Sequence, residues 1–206
     1  MNEFLPEQQK RLFVVSGPSG AGKSTILNAV FSHPDIAGTL AYSVSATTRR
    51  PRPGETEGES YYFLTDEKFD ELVSGGGFLE WAKVHNARYG TPVSNVEKSF
   101  GAGKDLLLEI DVRGAKNVIE SFPEAVLIFI TAPPGEFRKR LAARPSNLSP
   151  DQLEKEIEIR MDTAKSELRQ VGFYDYCIIN KDLDEAVKSA ISIILAERCR
   201  ILPVRK

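Results

Sequence analysis

The sequence predicts an α/β fold, a parallel sheet covered by helices on both faces. Three observations predict it. Short, unbroken apolar runs alternate along the chain with stretches whose apolar residues recur every three or four positions. The first run ends in a glycine-rich turn that leads into a helix-like stretch. Of the 206 residues 41 % are hydrophobic and 27 % charged, the composition of a globular chain able to bury a sizeable core. Strands buried on both faces lack polar alternation, and such strands belong to parallel sheets flanked by helices.

The elements follow in chain order. Residues 12–16 (LFVVS) are the first apolar run and end in the glycines of 17–22, which predicts a buried strand, a turn and a helix from about 23 to 31. Residues 105–111 (DLLLEID) and 125–131 (AVLIFIT) predict two more buried strands, and 176–180 a shorter fourth. Leu153, Ile157, Met161, Ala164 and Leu168 recur at three and four, giving one apolar helix face. Leu183, Ala186, Val187, Ala190, Ile191 and Ile194 do the same in the last helix, with Asp182 as its N-cap.

Two stretches depart from this rhythm. Between 45 and 91 short alternating runs at 61–64 and 78–84 surround a short helix and the turn at Gly75, Gly76 and Gly77, which predicts an inserted, mostly antiparallel subdomain. Residues 144–151 (RPSNLSPD) join two helices through Pro, Ser and Asn, a second and loop-like insertion. The whole, 1–206, reads as a single domain.

Charge and cysteine usage exclude several classes. Lys and Arg number 27 against 29 Asp and Glu, a net charge of −2, whereas nucleic acid or an anionic membrane favours a clear basic excess. Two cysteines, Cys177 and Cys199, cannot build a disulfide framework or a four-ligand zinc site, and His33 and His85 add little. The amino-terminal MNEFLPEQQKR lacks the regions of a signal peptide, and the longest apolar runs fall far short of a membrane span. The expectation is a soluble protein of a reducing compartment, hence cytoplasmic.

The chemistry begins at Gly17-Pro18-Ser19-Gly20-Ala21-Gly22-Lys23-Ser24, a full match to G-x-x-x-x-G-K-[ST], followed by Thr25. A chance match in a chain of this length has a probability of roughly 1 %. Glycines let successive backbone N–H groups turn toward phosphates, and the helix N-terminus adds partial positive charge. Lys23 is placed to reach the β- and γ-phosphates of a nucleotide and the Ser24 hydroxyl to contact Mg²⁺. A second phosphate-bearing substrate needs cations of its own. Arg49 and Arg52, in SATTRRPRPGE, carry planar forks suited to one, although a solvated basic turn stiffened by Pro51 and Pro53 is the plainer reading. Glu80 interrupts the apolar run FLEWAKV, where a carboxylate faces solvent unless it has a ligand, and Trp81 reads as core packing. Side chains alternate along a strand, so Glu109 and Asp111 fall on one side of the 105–111 run, at the carboxyl end where open α/β sheets bind ligands.

Taken together, GPSGAGKST, SATTRRPRPGExxGxxYYF, FLEWAKV with RYGTP, and LEIDVRG resemble the guanylate kinase family over about residues 11–198. The resemblance implies transfer of the γ-phosphoryl group of ATP to GMP, with Mg²⁺, in a three-part architecture. A core of about 1–44, 92–143 and 165–206 would carry the parallel sheet, the 45–91 insertion would bind GMP, and a helical lid would span about 144–164. It implies that Arg49, Arg52, Tyr61 and Tyr89 hold the GMP phosphate and that Ser45, Glu80, Thr91 and Asp111 meet the guanine. It implies further that Arg144 and Arg160 reach the transferring group from the lid, that Glu109 assists Mg²⁺ through water, and that adenine lies near Asn180. Arg140, one turn before Arg144, is a weaker member of the same set. Guanine presents donors at N1 and N2 that carboxylates accept, whereas adenine N1 is an acceptor and faces them with repulsion. The family pattern is departed from at Pro145, where glycine is usual after the lid arginine, in a longer 144–160 spacing, and at Lys181, where an acid is common.

Two other readings stand beside this one. Scaffold domains of the same fold bind peptides, but generally lack the Gly22-Lys23-Ser24 that is intact here. A phosphate-loop kinase of another acceptor would have no evident use for Glu80 and Asp111.

Overall fold

A computed structural model describes residues 9–84, 86–143 and 149–201. Its centre is a five-stranded, all-parallel sheet in the order β2-β7-β1-β8-β9. The strands are β1 (Leu12–Ser16), β2 (Leu40–Tyr42), β7 (Asp105–Glu109), β8 (Val126–Thr131) and β9 (Tyr176–Ile179). Alternation along β1 sends Phe13 and Val15 to one face and Leu12 and Val14 to the other, and all four are fully buried. The first face packs on α1 (Lys23–Ser32) and α7 (Leu183–Cys199), through Ile26, Leu27, Val30, Ala190 and Ile194. The second packs on α3 (Val93–Gly101) and α4 (Val112–Ser121), through Val96, Phe100, Ala115 and Val118. Apolar strands without polar alternation thus become a sheet covered on both sides.

Within the 45–91 stretch a second sheet of four strands runs β4-β3-β6-β5. It consists of β3 (Ala46–Thr47), β4 (Tyr62–Phe63), β5 (Phe78–Val84) and β6 (Ala87–Pro92), antiparallel except for the short β3–β4 pair. The helix α2 (Asp66–Ser74) packs on it through Phe69 and starts at Thr65, whose side chain accepts from Lys68 N at 3.3 Å. Helix α5 (Pro134–Ala142) precedes the second insertion, and α6 (Pro150–Leu168) follows it. Helix α6 opens with a capping box, Gln152 N to Ser149 Oγ and Ser149 N to Gln152 Oε1, with Pro150 in the first turn. Its expected apolar residues, Leu153, Ile157, Met161, Ala164 and Leu168, are all buried or half-buried, and Asp182 caps α7 by accepting from Glu185 N at 3.1 Å.

Three expectations need correction. The core sheet has a fifth strand, β2, whose three residues are too few to show a period in the sequence. The 105–111 run leaves the sheet at Glu109; Asp111 is the N-cap of α4, accepting from Gly114 N at 2.8 Å, so strand alternation is not what relates it to Glu109. Trp81 is 41 % exposed and meets Phe69 only edge-on at 6.1 Å, because alternation along β5 turns its neighbour Glu80 inward. Cys177 and Cys199 are free and exposed, and no helix among the described residues is long and apolar enough to cross a membrane.

The loop after β1 passes so close to the end of β8 that a Cβ on Gly17 would lie 1.9 Å from Ile130 O, at a φ of +143°. Gly17→Ala should therefore lower the unfolding free energy by about 2 kcal/mol or more. Urea unfolding midpoints of the two proteins read this directly; equal midpoints would mean that the loop relaxes away from β8.

Candidate active site

The phosphate loop joins β1 to α1 with Gly17, Gly20 and Gly22 all at positive φ, a backbone open to glycine at no steric cost. Ala21 N donates to Pro18 O at 3.1 Å within the turn, while Ser19 stands exposed at the rim and Pro18 is buried. From the sheet side, Asn180 Nδ2 donates to Ala21 O at 2.8 Å, and Arg140 reaches Ala21 O at 3.2 Å and Asn180 O at 3.1 Å. Asn180 is only 3 % exposed, so its amide braces the loop from below. A Cβ on Gly22 would lie 2.4 Å from that amide nitrogen, which explains why the brace needs glycine opposite it. Arg160, from α6, donates to Ser19 Oγ at 3.1 Å while paired with Glu156 one turn back. Arg144 lies outside the described residues, as do Pro145 and His85.

Lys23 folds over its own loop, donating to Gly17 O at 2.6 Å and Pro18 O at 3.3 Å, and lies 4.0 Å from the Glu109 carboxylate. Burial raises the pKa of Glu109, and the nearby ammonium opposes that rise. Ser24 and Thr25 open the exposed first turn of α1. These groups form one end of a cleft of about 430 Å³, a size suited to a nucleotide-like ligand. Ser45, Tyr61, Glu80, Tyr89, Glu109, Asp111 and Gly114 line the remainder. The cleft therefore joins the carboxyl ends of the parallel strands to the smaller sheet, and five of the eight expected GMP residues line it.

Glu80 turns inward, 7 % exposed, and its Oε1 accepts from Thr91 Oγ1 at 2.8 Å. Burial pushes its pKa up to about 7; the Thr91 hydrogen bond resists this, and the Asp111 carboxylate adds to it. Gly114 makes room for this side chain, since a Cβ there would stand 3.0 Å from Glu80 Oε2. A carboxylate has about four acceptor sites, so Glu80, held by the hydroxyl and the backbone N–H of Thr91, retains acceptor capacity for a donor-rich ligand.

Arg49 is held on all sides. Glu55 grips its fork with two bonds of 2.8 and 2.9 Å, Tyr89 Oη accepts from Nε at 3.2 Å, and the guanidinium lies 5.4 Å from the Tyr61 ring centre. Arg52 is exposed, and its backbone N–H donates to the same Glu55 at 2.7 Å. Sequence reasoning gave Glu55 no role, although it stands in the motif. A carboxylate six positions after an arginine meets it only if the chain turns back, and Pro51, Pro53 and Gly54 (φ +85°) are the available signal. Tyr42, at the end of β2, also lines the cleft and carried no sequence signal. Among the described residues there is no group of three or more His, Cys, Asp or Glu placed to hold a metal ion. Ser24 and Glu109 offer a hard-oxygen pair in the same cleft, which fits an ion such as Mg²⁺ that takes one or two protein ligands and completes its shell with phosphates and water.

Comparison with known proteins agrees with this geometry. The guanylate kinase family model matches residues 9–197. A guanylate kinase of Caldanaerobacter subterraneus subsp. tengcongensis is 44 % identical over 196 residues, 95 % of this chain and 91 % of the relative. That of Clostridium acetobutylicum is 44 % identical over 191 residues, 92 % of this chain and 87 % of the relative. The crystal structure of guanylate kinase from Anaplasma phagocytophilum superposes with a TM-score of 0.74 at 32 % identity, covering 94 % of this chain and 89 % of that one. The phosphate loop, the parallel sheet that carries it and the whole-length likeness converge on one conclusion: the chain belongs to the guanylate kinase family.

Proposed function

We propose that the cleft moves the γ-phosphoryl group of ATP to a phosphate oxygen of GMP, and by the same chemistry dGMP, giving ADP and GDP. ATP-dependent phosphorylation of GMP is the activity that family membership assigns to this chain. One observation carries the residue assignment: the buried Glu80 and the helix cap Asp111 face a single cleft that ends at Lys23 and Ser24. In this reading the core (about 1–44, 92–143 and 165–206) holds ATP, the insertion (about 45–91) closes on GMP, and the stretch 144–164 closes as a lid. The free, exposed cysteines support action in a reducing, cytoplasmic compartment within guanine nucleotide metabolism.

The attacking oxygen needs no general base, because the second pKa of a phosphate monoester is about 6. The residues therefore bind, orient and neutralise. Lys23 exchanges the carbonyls of Gly17 and Pro18 for phosphate oxygens, and the loop from Gly17 to Ser24, with Thr25, encloses them. Arg49 is presented by Glu55, with Arg52, Tyr61 and Tyr89, toward the GMP phosphate. Arg160, already at the loop rim, approaches the transferring group together with Arg144, and the ATP base lies near the Asn180 end of β9. Ser24, with Glu109 through water, would hold Mg²⁺. That ion would supply neutralisation of the charge that builds on the β- and γ-oxygens. Closure keeps water from the γ-phosphate, which protects ATP from hydrolysis. Ser45 and Thr91 complete the guanine pocket around Glu80 and Asp111, where the wrong base leaves buried polar groups unpaired.

The direct test is ADP release from Mg·ATP with GMP, dGMP, AMP, CMP or UMP as acceptor. Release that depends on GMP or dGMP and is at least about 10²-fold weaker with AMP is expected; equal rates with AMP would discard the base pocket.

Glu80 makes stability depend on pH. Its folded pKa of about 7 lies above the ordinary 4.5, so the folded protein holds a proton that the unfolded chain releases, and ligand-free stability falls as pH rises between those values. From pH 5 to pH 8 the wild type should lose about 2 kcal/mol relative to Glu80→Gln, measured by urea unfolding at both pH values. The same variant should raise the KM for GMP more than that for ATP.

Asp111 serves two purposes that substitution separates. Asp111→Asn keeps a good N-cap and removes the charge, so KM for GMP rises while stability stays within about 0.5 kcal/mol; Asp111→Ala should lose about 1 kcal/mol as well. Equal KM values for wild type and Asp111→Asn would remove Asp111 from the guanine contacts.

A further inference from the structure

Beneath the phosphate loop lie three polar groups that the transfer chemistry has not used. Among the described residues, Ser16 Oγ, at the last residue of β1, Tyr174 Oη and Glu167 Oε2 are each shielded from solvent with no hydrogen-bond partner within 3.5 Å, although Ser16 and Tyr174 stand close enough to influence one another. They come from three different parts of the fold. Ser16 immediately precedes Gly17, whose carbonyl holds Lys23. Tyr174 follows the 3₁₀ turn Val171–Phe173, and its ring packs edge-on against Phe129 of β8 at 5.0 Å. The next residue, Asp175, accepts from Leu127 N at 2.8 Å, which pins this segment to the sheet. Glu167 stands in the last turn of α6, the helix whose Arg160 touches Ser19 on the loop rim.

Their neighbourhood is electrostatically shared. Burial pushes the Tyr174 pKa up to about 12; the neighbouring Ser16 hydroxyl lowers it, and the Glu167 and Asp111 carboxylates raise it. Burial likewise raises the pKa of Glu167, which Lys23 lowers and Asp111 raises. Glu167 and Asp111 also line a cleft of about 710 Å³ between α4 and α6, which meets the nucleotide cleft at Asp111 and Val84.

We propose that Glu167 is a positioning residue for phosphoryl transfer, acting through Tyr174 and Ser16 to couple helix α6 to the base of the phosphate loop. This rests on the kinase reading above. The geometry supplies the reason. Arg160 and Glu167 are seven residues apart, two helical turns, so they project from one side of α6 about 10 Å apart. One rigid helix therefore touches the loop at its rim through Ser19 and brings Glu167 to the neighbourhood of Tyr174, which stands beside Ser16 at the loop base. When Lys23 leaves Gly17 O for a phosphate, the loop base loses a contact. A chain from Glu167 to Tyr174 to Ser16 replaces that restraint and gives three buried polar groups their partners. The Glu167 charge also attracts the Lys23 ammonium, and the amide of Gln cannot.

Steady-state kinetics with Mg·ATP and GMP on Glu167→Gln, Tyr174→Phe and the double variant test this, with Lys23→Ala as control. Each single variant should lower kcat on the order of tenfold while both KM values stay within about twofold. The double variant should be no slower than the poorer single, because both act through one chain. Tyr174→Phe keeps the ring against Phe129, so it carries the test even if Glu167→Gln folds poorly. Wild-type kcat in Tyr174→Phe, or losses that multiply in the double variant, would overturn the coupling. If Lys23→Ala were as fast as wild type, the kinase reading of the loop would fail instead, a result distinct from either.

Discussion

The close approach of Gly17 to the end of β8 is the constraint on which the site depends. Strands β1 and β8 are neighbours in the parallel sheet, so a chain leaving β1 must turn across the carbonyl of Ile130 before it can enter α1. Only a residue without a Cβ passes there. The turn that results aims the first N–H groups of α1 and the side chains of Lys23 and Ser24 over the carboxyl ends of the strands. Asn180 from the end of β9 and Arg140 from α5 then hold Ala21 O from the other side. The loop is thus clamped by β8, the neighbour of β1, and by the end of β9 one strand further out, and its geometry exists before any nucleotide arrives.

Charge is arranged around this loop in two opposite ways. Glu80, Glu109 and Asp111 are gathered into one cleft, and burial makes their ionised forms costly for the first two. A site loaded with acceptors in that manner favours a ligand that brings donors, which is the chemistry of guanine. Behind the lining tyrosines Tyr61 and Tyr89, Arg49 already has its counter-charge in Glu55 and its guanidinium against the rings of Tyr61 and Phe63. There the protein holds a cation in a set orientation, a planar fork whose rotamer entropy is already lost. The carboxylates of the cleft are thus short of counter-charges, whereas the arginine beside it is well supplied with one.

Much of this was legible in the primary structure. The phosphate loop, the apolar strands β1, β7, β8 and β9, the covered stripe of α6 and the cap of α7 all follow from local patterns that the folded chain preserves. Glu80 announced itself as a charge inside an apolar strand. Other features were not legible because they arise from residues distant in sequence. Strand β2 is three residues long and exists by pairing with β7. Asp111 reads as the last residue of a strand until the Gly114 N–H shows it to be a helix cap, and Trp81 reads as core until Glu80 claims the inward side of β5.

The sequence by itself determined the fold class and the phosphate loop, since each depends on periodicity or on a contiguous motif, whereas the guanine contacts were implied only by resemblance to the guanylate kinase family. The tertiary structure alone decided which residues share a cleft, that Glu55 grips Arg49, that Asn180 braces Ala21, and that Glu167, from the far end of α6, shares a cleft with Asp111. Burial and electrostatic coupling are properties of surroundings. They come into being only when elements far apart in the chain are packed against one another.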